Sequence, residues 1–540
     1  MAHTALLPAK PPERAHADTI SNARRFGPVA LLALGPFAWF YAENRSESLA
    51  PADLWLYALA TAAMALLAAR VLEACTGSKT GRVPAGVGVG VLFFFSYAGI
   101  EATLSRVGAG PDTTAAASWG LSLLGIFVAG RLGSKPGFQR FLLVFAAANL
   151  ALALVMTGAA GLDSGSDELS LKAPSDQLFA NDVWSGAAQR RPDVYWIVVD
   201  SYPNREQLLE VYGFDNSAFL DGLLERGFAI AEESFANYSE TLLSVPSTLE
   251  MEYIFDEEDP VYEEKRGGNW VRRRGRTRSS VNEAVAGVNR SVSFFRQLGY
   301  QYLHFDGGGF QITRCQGFED LCLEAEVPGL SELERQLVAM TPASRWAHTS
   351  SAVQQWRKPV SPSASGTGIP ELRAQLASTP LPEPFFLYAH IASPHRPYWN
   401  DADCNLLPPA APRRGKRHFV AQLRCVNRHL DDLLDSIEAR DPEAIVLLAA
   451  DHGPRLSVRK GTSLYEHSRR QIRESLGILL ALRAPAACLE SFPADLSPVN
   501  SLRLVFACIG GEAPRLLPNR HYLARPDSPE RGLIRRVRVD

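Results

Sequence analysis

The sequence predicts an α/β protein: an N-terminal bundle of about five transmembrane helices, then a doubly wound, mostly parallel-sheet domain. Three observations predict it. Apolar residues crowd into the first third of the chain, and nearly all charge lies beyond it. Two short apolar runs, Val194–Val199 and the one opening at Ala444, stop abruptly at polar groups, the first at Asp200 and the second at Asp451-His452-Gly453. Runs of this length between turn signals read as buried strands, and an open α/β sheet carries its chemistry at the carboxyl ends of its strands. Finally, a strand, a helix and a second strand follow one another between Val194 and Ile230, as at the start of a wound sheet.

In chain order, Met1–Arg25 is polar, and five apolar stretches follow: Phe26–Ala42, Leu54–Leu72, Pro84–Ile100, Ser118–Leu132 and Phe138–Thr157. A bilayer span needs roughly 20 apolar residues, with about 17 as a lower limit. The first, second and fifth meet this cleanly; the third is glycine-rich and the fourth is short. Gly86-Val-Gly88-Val-Gly90 lies inside an apolar stretch with no strand before it, so it reads as helix packing rather than a nucleotide fingerprint. Basic residues gather before the first stretch (Arg24, Arg25) and around the second and fourth loops (Arg70, Lys79, Arg82; Arg131, Lys135, Arg140), while the first and third loops are acidic on balance. The positive-inside rule then puts the N-terminus in the cytoplasm, and an odd number of spans puts everything after Thr157 outside the cell (inner) membrane.

The cysteines give an independent check. Cys75 lies in the membrane third; Cys315, Cys322, Cys404, Cys425, Cys488 and Cys508 form three neighbouring pairs beyond it. That pattern suits disulfides in an oxidising compartment, with pairing in sequence order one of many connectivities. The expected organisation is a cytoplasmic segment 1–25, a transmembrane region 26–157, a Gly/Ser/Asp-rich linker 158–190, an extracytoplasmic domain 191–512 and a Pro- and Arg-rich tail 513–540. A net charge of −3 leaves no nucleic-acid footprint, and nothing calls for an obligatory protein partner.

Within the soluble region, Asn216 or Ser217 caps a helix whose apolar face is Phe219, Leu220, Leu223 and Leu224 and which Gly227 ends, followed by a strand at Phe228–Ile230. Asn237–Met251 clusters hydroxyl residues, Thr241 and Ser244 among them, where an apolar helical pattern begins. A helix N-terminus suits an anion, and a hydroxyl there becomes a nucleophile if a metal lowers its pKa. The plainer alternative is a helix cap. Asp256–Arg290 is a charged excursion, read as an exposed insertion or lid, with Arg272–Arg276 a weaker anion-binding candidate. Val292–Leu298 is a helix stopped by Gly299, and Tyr300–Phe305 a strand ending in Asp306 and three glycines. Pro384–Tyr398 carries a further strand whose end offers His390, His395 and Arg396, suited to phosphate or sulfate oxygens. Phe419–Ile437 is an amphipathic helix with Leu423, Val426, Leu430, Leu433, Leu434 and Ile437 on its core face. Beyond Asp451 and His452, which offer a carboxylate and an imidazole to a divalent metal, His467 is one more possible ligand, and Leu476–Leu482 reads as a strand.

Together, Asp200 after the first strand, the hydroxyl cluster before Ser244-Val-Pro246-Ser247, the His390-x-x-x-x-His395-x-Pro loop and the late Asp451-His452-Gly453 resemble the alkaline phosphatase and sulfatase superfamily, from Arg191 to about Pro485. Several membrane helices before such a domain are similar to lipoteichoic acid synthases and phosphoethanolamine transferases. The resemblance implies a divalent metal (Zn or Mn, with Mg or Ca as alternatives) on Asp200, Thr241, Asp451 and His452, with Thr241 as nucleophile and His395 on the substrate phosphate. His467 corresponds to an extra metal-binding histidine, at a different spacing. It also implies a membrane lipid or envelope glycan as substrate. Sulfatases carry Cys-x-Pro-Ser-Arg; here Thr248 stands in place of the Arg, and Asp200 is followed by Ser201 rather than a second Asp. Both departures favour threonine-based phosphoryl transfer, with Ser244 the reserve nucleophile. An ester hydrolase and a non-catalytic binding protein are the competing expectations.

Overall fold

The computed structural model describes residues 13–44, 51–78, 80–105, 111–163, 191–254, 265–266, 269–270, 283–307, 314–325, 332–343, 365–407, 414–459, 462–490, 492–524 and 534–539. The expected linker lies outside these residues but for its first six, and Arg272–Arg276 lies wholly outside them. The chain divides into two compact units: Met1–Ser166 with Leu333–Trp356, and the remainder.

In the first unit every apolar stretch is helical: α1 (Glu13–Asn44), α2 (Pro51–Thr76), α3 (Arg82–Phe95), α4 (Tyr97–Ser105), α5 (Pro111–Leu132) and α6 (Pro136–Asp163). Three of the described helices are long and apolar enough to cross a membrane: Leu54–Thr76, Thr113–Leu132 and Pro136–Met156. They correspond to the second, fourth and fifth stretches. The short fourth stretch is lengthened by Thr113–Ala117, which continue its helix. The first stretch carries Pro28 and Pro36, and the glycine-rich third breaks at Ser96 into α3 and α4. Large apolar side chains are exposed along the three long helices, Leu56, Leu67, Leu123, Phe127, Phe141 and Val144 among them, with Arg70, Arg131 and Arg140 exposed near their ends. A surface of that kind is what lipid requires and water penalises. A Cβ on Gly88 would lie 3.1 Å from Leu32 Cδ1 and 3.3 Å from Val29 Cα, so this glycine lets α3 approach α1 closely. The unit also takes in α11 (Glu332–Ala339), numbered after the intervening helices of the other unit. Its Leu333 and Leu337 pack with Phe37, Phe40, Leu54 and Ala58, and Tyr57 donates to Glu334 Oε1 at 2.8 Å.

The second unit is built on a seven-stranded sheet. In chain order its strands are β1 (Val194–Val199), β2 (Phe228–Ile230), β5 (Gln301–Asp306), β6 (Leu321–Glu324), β7 (Phe385–Ile391), β8 (Ile445–Ala449) and β9 (Leu480–Arg483), arranged β2-β9-β8-β1-β7-β5-β6. Two short hairpins, β3 (Lys265–Arg266) with β4 (Asn269–Trp270) and β10 (His521–Ala524) with β11 (Ile534–Val537), stand apart from it. From β8 to β6 the pairing is parallel; β9 and β2 join antiparallel at the other edge. The fold is therefore mixed α/β with a mostly parallel sheet. The strand that follows the first helices, β2, sits at the far edge of the sheet, antiparallel to β9 and not beside β1.

Alternation along β1 splits the core. Tyr195, Ile197 and Val199 pack on one face with α13 (Lys416–Arg440), whose Leu423, Val426, Leu430, Leu433, Leu434 and Ile437 are all buried. On that face too lie α7 (Arg205–Tyr212), α8 (Ser217–Glu225) and α12 (Ile369–Ser378). Val194, Trp196 and Val198 pack on the other face with α9 (Thr241–Glu250), α10 (Arg290–Gln297) and α16 (Pro498–Gly510). Helices on both faces bury both sides of the sheet, which is why its strands are unbroken apolar runs. Asn216 stands at the N-cap of α8 but its side chain makes no capping bond, being taken up by Tyr202 and Asn427; Phe219, Leu220 and Leu223 are buried, but Leu224 is half exposed, off the core face. The remaining helices are α14 (Arg469–Leu476) and α15 (Ala486–Leu489). Disulfides join Cys315–Cys322, Cys404–Cys425 and Cys488–Cys508, in sequence order, and Cys75 is free.

Candidate functional site

Parallel pairing brings three strand ends together. Val198 is in register with Ala449 of β8 and with His390 of β7. Asp200, one residue past β1, therefore stands beside the Ala450-Asp451-His452 turn on one side and the His390–His395 segment on the other. Asp200, Asp451 and His452 are buried, and one ligand atom from each lies within 4.8 Å of the others.

The hydroxyl cluster meets this group from the opposite direction. Thr241 is the first residue of α9, and its Oγ1 donates to Asp451 Oδ2 at 2.6 Å and lies 3.2 Å from His452 Nε2. Ser244, one turn further and fully buried, donates to the backbone oxygen of Asp451 at 2.6 Å. Ser201 donates to Asp200 Oδ1 at 2.8 Å, and its N–H to Asp451 Oδ1 at 3.2 Å.

His452 Nδ1 is 2.9 Å from Gly453 O, an oxygen that can only accept. Nδ1 therefore carries a proton, and Nε2, which faces Thr241 and the carboxylates, is the ring nitrogen left to bind a metal when the ring is neutral. His390 Nδ1 meets Tyr388 Oη at 3.2 Å, while its Nε2 is buried without a hydrogen bond, 3.7 Å from Asp200 Oδ2. Two carboxylates, one imidazole nitrogen and a hydroxyl are a donor set that fits a divalent cation.

Electrostatics agree. Burial pushes the Asp200 carboxyl up, but His395, His390 and His452 together outweigh it and hold the group well below the usual range. For His452 burial lowers the pKa, and Asp451 and Asp200 more than reverse that, so the ring sits above its ordinary value.

The other expected residues divide. His395 is half-buried, with its ring 6.5 Å from that of His452. Arg396 is exposed. His467 is not in the ligand group; its Nδ1 bonds Ser463 O at 2.9 Å. Two residues passed over in the sequence stand at the site: Glu240, which precedes Thr241 at the head of α9, and Arg455, which forms an ion pair with it. Burial lowers the Arg455 guanidinium to about 10, against the pull of Asp200, so it remains a cation at neutral pH. A cation close behind Asp-His was visible as a signal, but its partner 215 residues earlier was not.

Gly453 fixes the turn that carries Asp451 and His452. Its N–H donates to Ser475 O at 2.9 Å, and a Cβ there would lie 2.0 Å from Glu474 O.

Comparison with known proteins adds a family. The family model described as Sulfatase matches residues 344–476, which include β7, β8, His390, His395, Asp451 and His452. Among curated proteins none matches this chain. Among solved structures, the C-terminal periplasmic domain of EcEptC from Escherichia coli is 12% identical over 64% of this chain and 93% of that one, with a TM-score of 0.39. Lipooligosaccharide phosphoethanolamine transferase A (EptA) from Neisseria meningitidis is 12% identical over 89% and 95%, with a TM-score of 0.37. Phosphonate monoester hydrolase of Agrobacterium radiobacter is 11% identical over 62% and 80%, with a TM-score of 0.38. Likeness at this level carries nothing about substrate or mechanism. The resemblance to the alkaline phosphatase and sulfatase superfamily is thus shown in sequence, over the segment that supplies two of the three clustered strand ends.

Proposed function

We propose that this chain is a metal-dependent phosphotransferase of the cell envelope, with residues 26–157 in the inner membrane, the N-terminus in the cytoplasm and 191–512 outside. The observation that carries the reading is the placement of Thr241, a hydroxyl 2.6 Å from Asp451 Oδ2 and 3.2 Å from His452 Nε2 at the head of a helix. The three disulfides support the oxidising side of the membrane. The sulfatase-family match supports an enzyme acting on phosphoric or sulfuric esters.

Asp200, Asp451, His452 and the Thr241 hydroxyl would hold the ion, Zn or Mn by the mixed oxygen and nitrogen donors. When bound, such an ion lowers the pKa of a hydroxyl and draws charge from a phosphoryl oxygen. Thr241 Oγ1 attacks phosphorus in line, the P–O bond to the leaving alcohol breaks, and a phosphothreonine ester forms. The Thr241 proton has an acceptor in Asp451 Oδ2, and the leaving oxygen takes a proton from water. An acceptor hydroxyl then gives its proton to the hydroxide left by that water and attacks phosphorus, the P–O bond to Thr241 breaks, and Thr241 Oγ1 recovers its proton from Asp451. His395, His390 and Arg396 supply donors to the substrate oxygens. Ser244 is a weaker nucleophile candidate, because it is fully buried and bonded to Asp451 O. The donor is read as a membrane lipid and the transferred group as of phosphoglycerol or phosphoethanolamine type. A second reading, ester hydrolysis, is favoured by the family match alone.

The test is intact-mass analysis of the full chain in detergent, loaded with Zn or Mn and exposed briefly to lipid phosphoglycerol and phosphoethanolamine donors. An adduct on Thr241, absent in Thr241→Ala, is the expected result. Formylglycine at Ser244 would return the protein to the sulfatases.

A further inference from the structure

Arg455 follows His452 by three residues and takes no part in the chemistry proposed above. Its backbone is left-handed, with φ 55°, a conformation that costs a non-glycine residue energy and that gathers at functional sites. Its side chain is 21% exposed, enough to meet a ligand but not to be freely solvated, and its Nη1 donates to Glu240 Oε1. Among the described residues no hydrogen bond uses its Nε or Nη2. The guanidinium is thus held by one corner beside the residue that precedes Thr241, with two donor nitrogens unspent.

The charge balance gives those donors a use. Asp200, Asp451 and Glu240 put three carboxylates around the site. A phosphoryl group brings further negative charge, more than one divalent ion offsets. Arg396, the other arginine of the region, is exposed. A guanidinium offers two parallel N–H donors that match two oxygens of one phosphoryl group, which an ammonium does not.

We propose that Arg455 grips the non-bridging oxygens of the substrate phosphoryl group, with Glu240 as the residue that orients it. The inference rests on the reading of Thr241 as nucleophile for its place in the reaction, but not for the existence of the anion site. Binding is therefore the measurement that tests it. Inorganic phosphate is titrated into the full chain in detergent, loaded with Zn, by calorimetry, for wild type, Arg455→Met, Arg455→Lys and Glu240→Gln. Thermal unfolding and metal content are measured on the same samples. Loss of charge-assisted bonds predicts binding about ten- to a hundredfold weaker in Arg455→Met, with Arg455→Lys in between. Glu240→Gln removes a competing charge and keeps an oxygen that can accept from Nη1, so it should bind phosphate as well as wild type or a few-fold tighter. A mere strut predicts otherwise: Glu240→Gln and Arg455→Met would lose thermal stability together and weaken phosphate alike, or neither would touch phosphate. Either pattern overturns the proposal. If Arg455→Met does not fold, Arg455→Lys against Glu240→Gln decides in the same way. A missing Thr241 adduct beside Arg455-dependent phosphate binding would sink the transferase reading and leave the anion site. A wild-type adduct rate and wild-type phosphate binding in Arg455→Met would do the reverse.

Discussion

Gly453→Ala is the smallest change that should disable the site without altering any group that takes part in the chemistry. A methyl carbon at 453 would lie 2.0 Å from Glu474 O and 3.0 Å from Glu474 C and Ser475 C. Those atoms are backbone and cannot swing aside as a side-chain tip would. Ordinary contact begins near 3.4 Å, so the two strands of chain must part by more than 1 Å. The bond from Gly453 N to Ser475 O, at 2.9 Å, does not survive such a shift. Overpacking of this kind costs about 1–3 kcal/mol, and a lost buried hydrogen bond adds about 1 kcal/mol. For a domain of this size each kcal/mol lowers Tm by roughly 2–4 °C. The same displacement reaches Asp451 and His452, the neighbours of residue 453, and a misplacement of about 1 Å costs on the order of a hundredfold in rate. The assay is the rate of Thr241 adduct formation by intact mass, with Zn stoichiometry and Tm on the same protein. Gly222→Ala is the control: it lies within α8 with nothing near its would-be Cβ, and should stabilise slightly. A Gly453→Ala protein with wild-type Zn content, Tm and adduct rate would refute the claim that this close approach holds the ligand turn.

Further outcomes follow from the same geometry. Asp451→Asn should weaken Zn binding by about a hundredfold or more, since it removes a charged ligand and the acceptor of the Thr241 proton; equilibrium dialysis reads it. Ser244→Ala should lower Tm by a few degrees through loss of its bond to Asp451 O, yet leave the adduct on Thr241; an adduct abolished by Ser244→Ala would revive the reserve nucleophile. His452 is raised in the folded metal-free protein, so its contribution to stability is present below the ordinary histidine value and is lost as pH rises through the raised one. Zn needs the neutral ring, so Zn affinity should climb with pH across that window, and His452→Gln should flatten the climb in dialysis at pH 6, 7 and 8. Asp193 is buried and pushed up to about 6, a carboxyl that favours the folded state only while protonated. Asp193→Asn should therefore raise Tm at pH 8 and gain less at pH 5.

How far the sequence was legible depended on whether the signal was local. Buried strands ending at Asp200, at the His390–His395 segment and at Asp451 were readable because both-face burial leaves an uninterrupted apolar run. The face of α13 was readable because helical spacing repeats within one element. Leu224 departs from its helix's apolar face because α8 is short and its last turn meets solvent. The placing of β2 was not readable: three residues carry no mark of which strand they will join. Nor was the membership of Leu333–Trp356 in the unit that holds the membrane helices, since Leu333 and Leu337 look like any short amphipathic pattern until Phe37, Phe40 and Leu54 are placed against them.

The meeting of Thr241 with Asp451, 210 residues later, shows where the non-local information lies. β1 has β7 on one side and β8 on the other, all three parallel, so their carboxyl ends must open on the same rim. That condition alone gathers Asp200, His390 and the Asp451-His452 turn. It does not bring Thr241, which arrives because α9 packs Val245 and Leu249 into the core face that also receives Val194, Trp196 and Val198. With those two side chains buried, the first turn of the helix is carried to the rim, and Ser244 fastens it there through Asp451 O. The hydroxyl that bears the proposed chemistry is therefore set by apolar packing one and two turns away. On this account, a cavity at Leu249 should loosen Thr241 from Asp451 before it unfolds the domain.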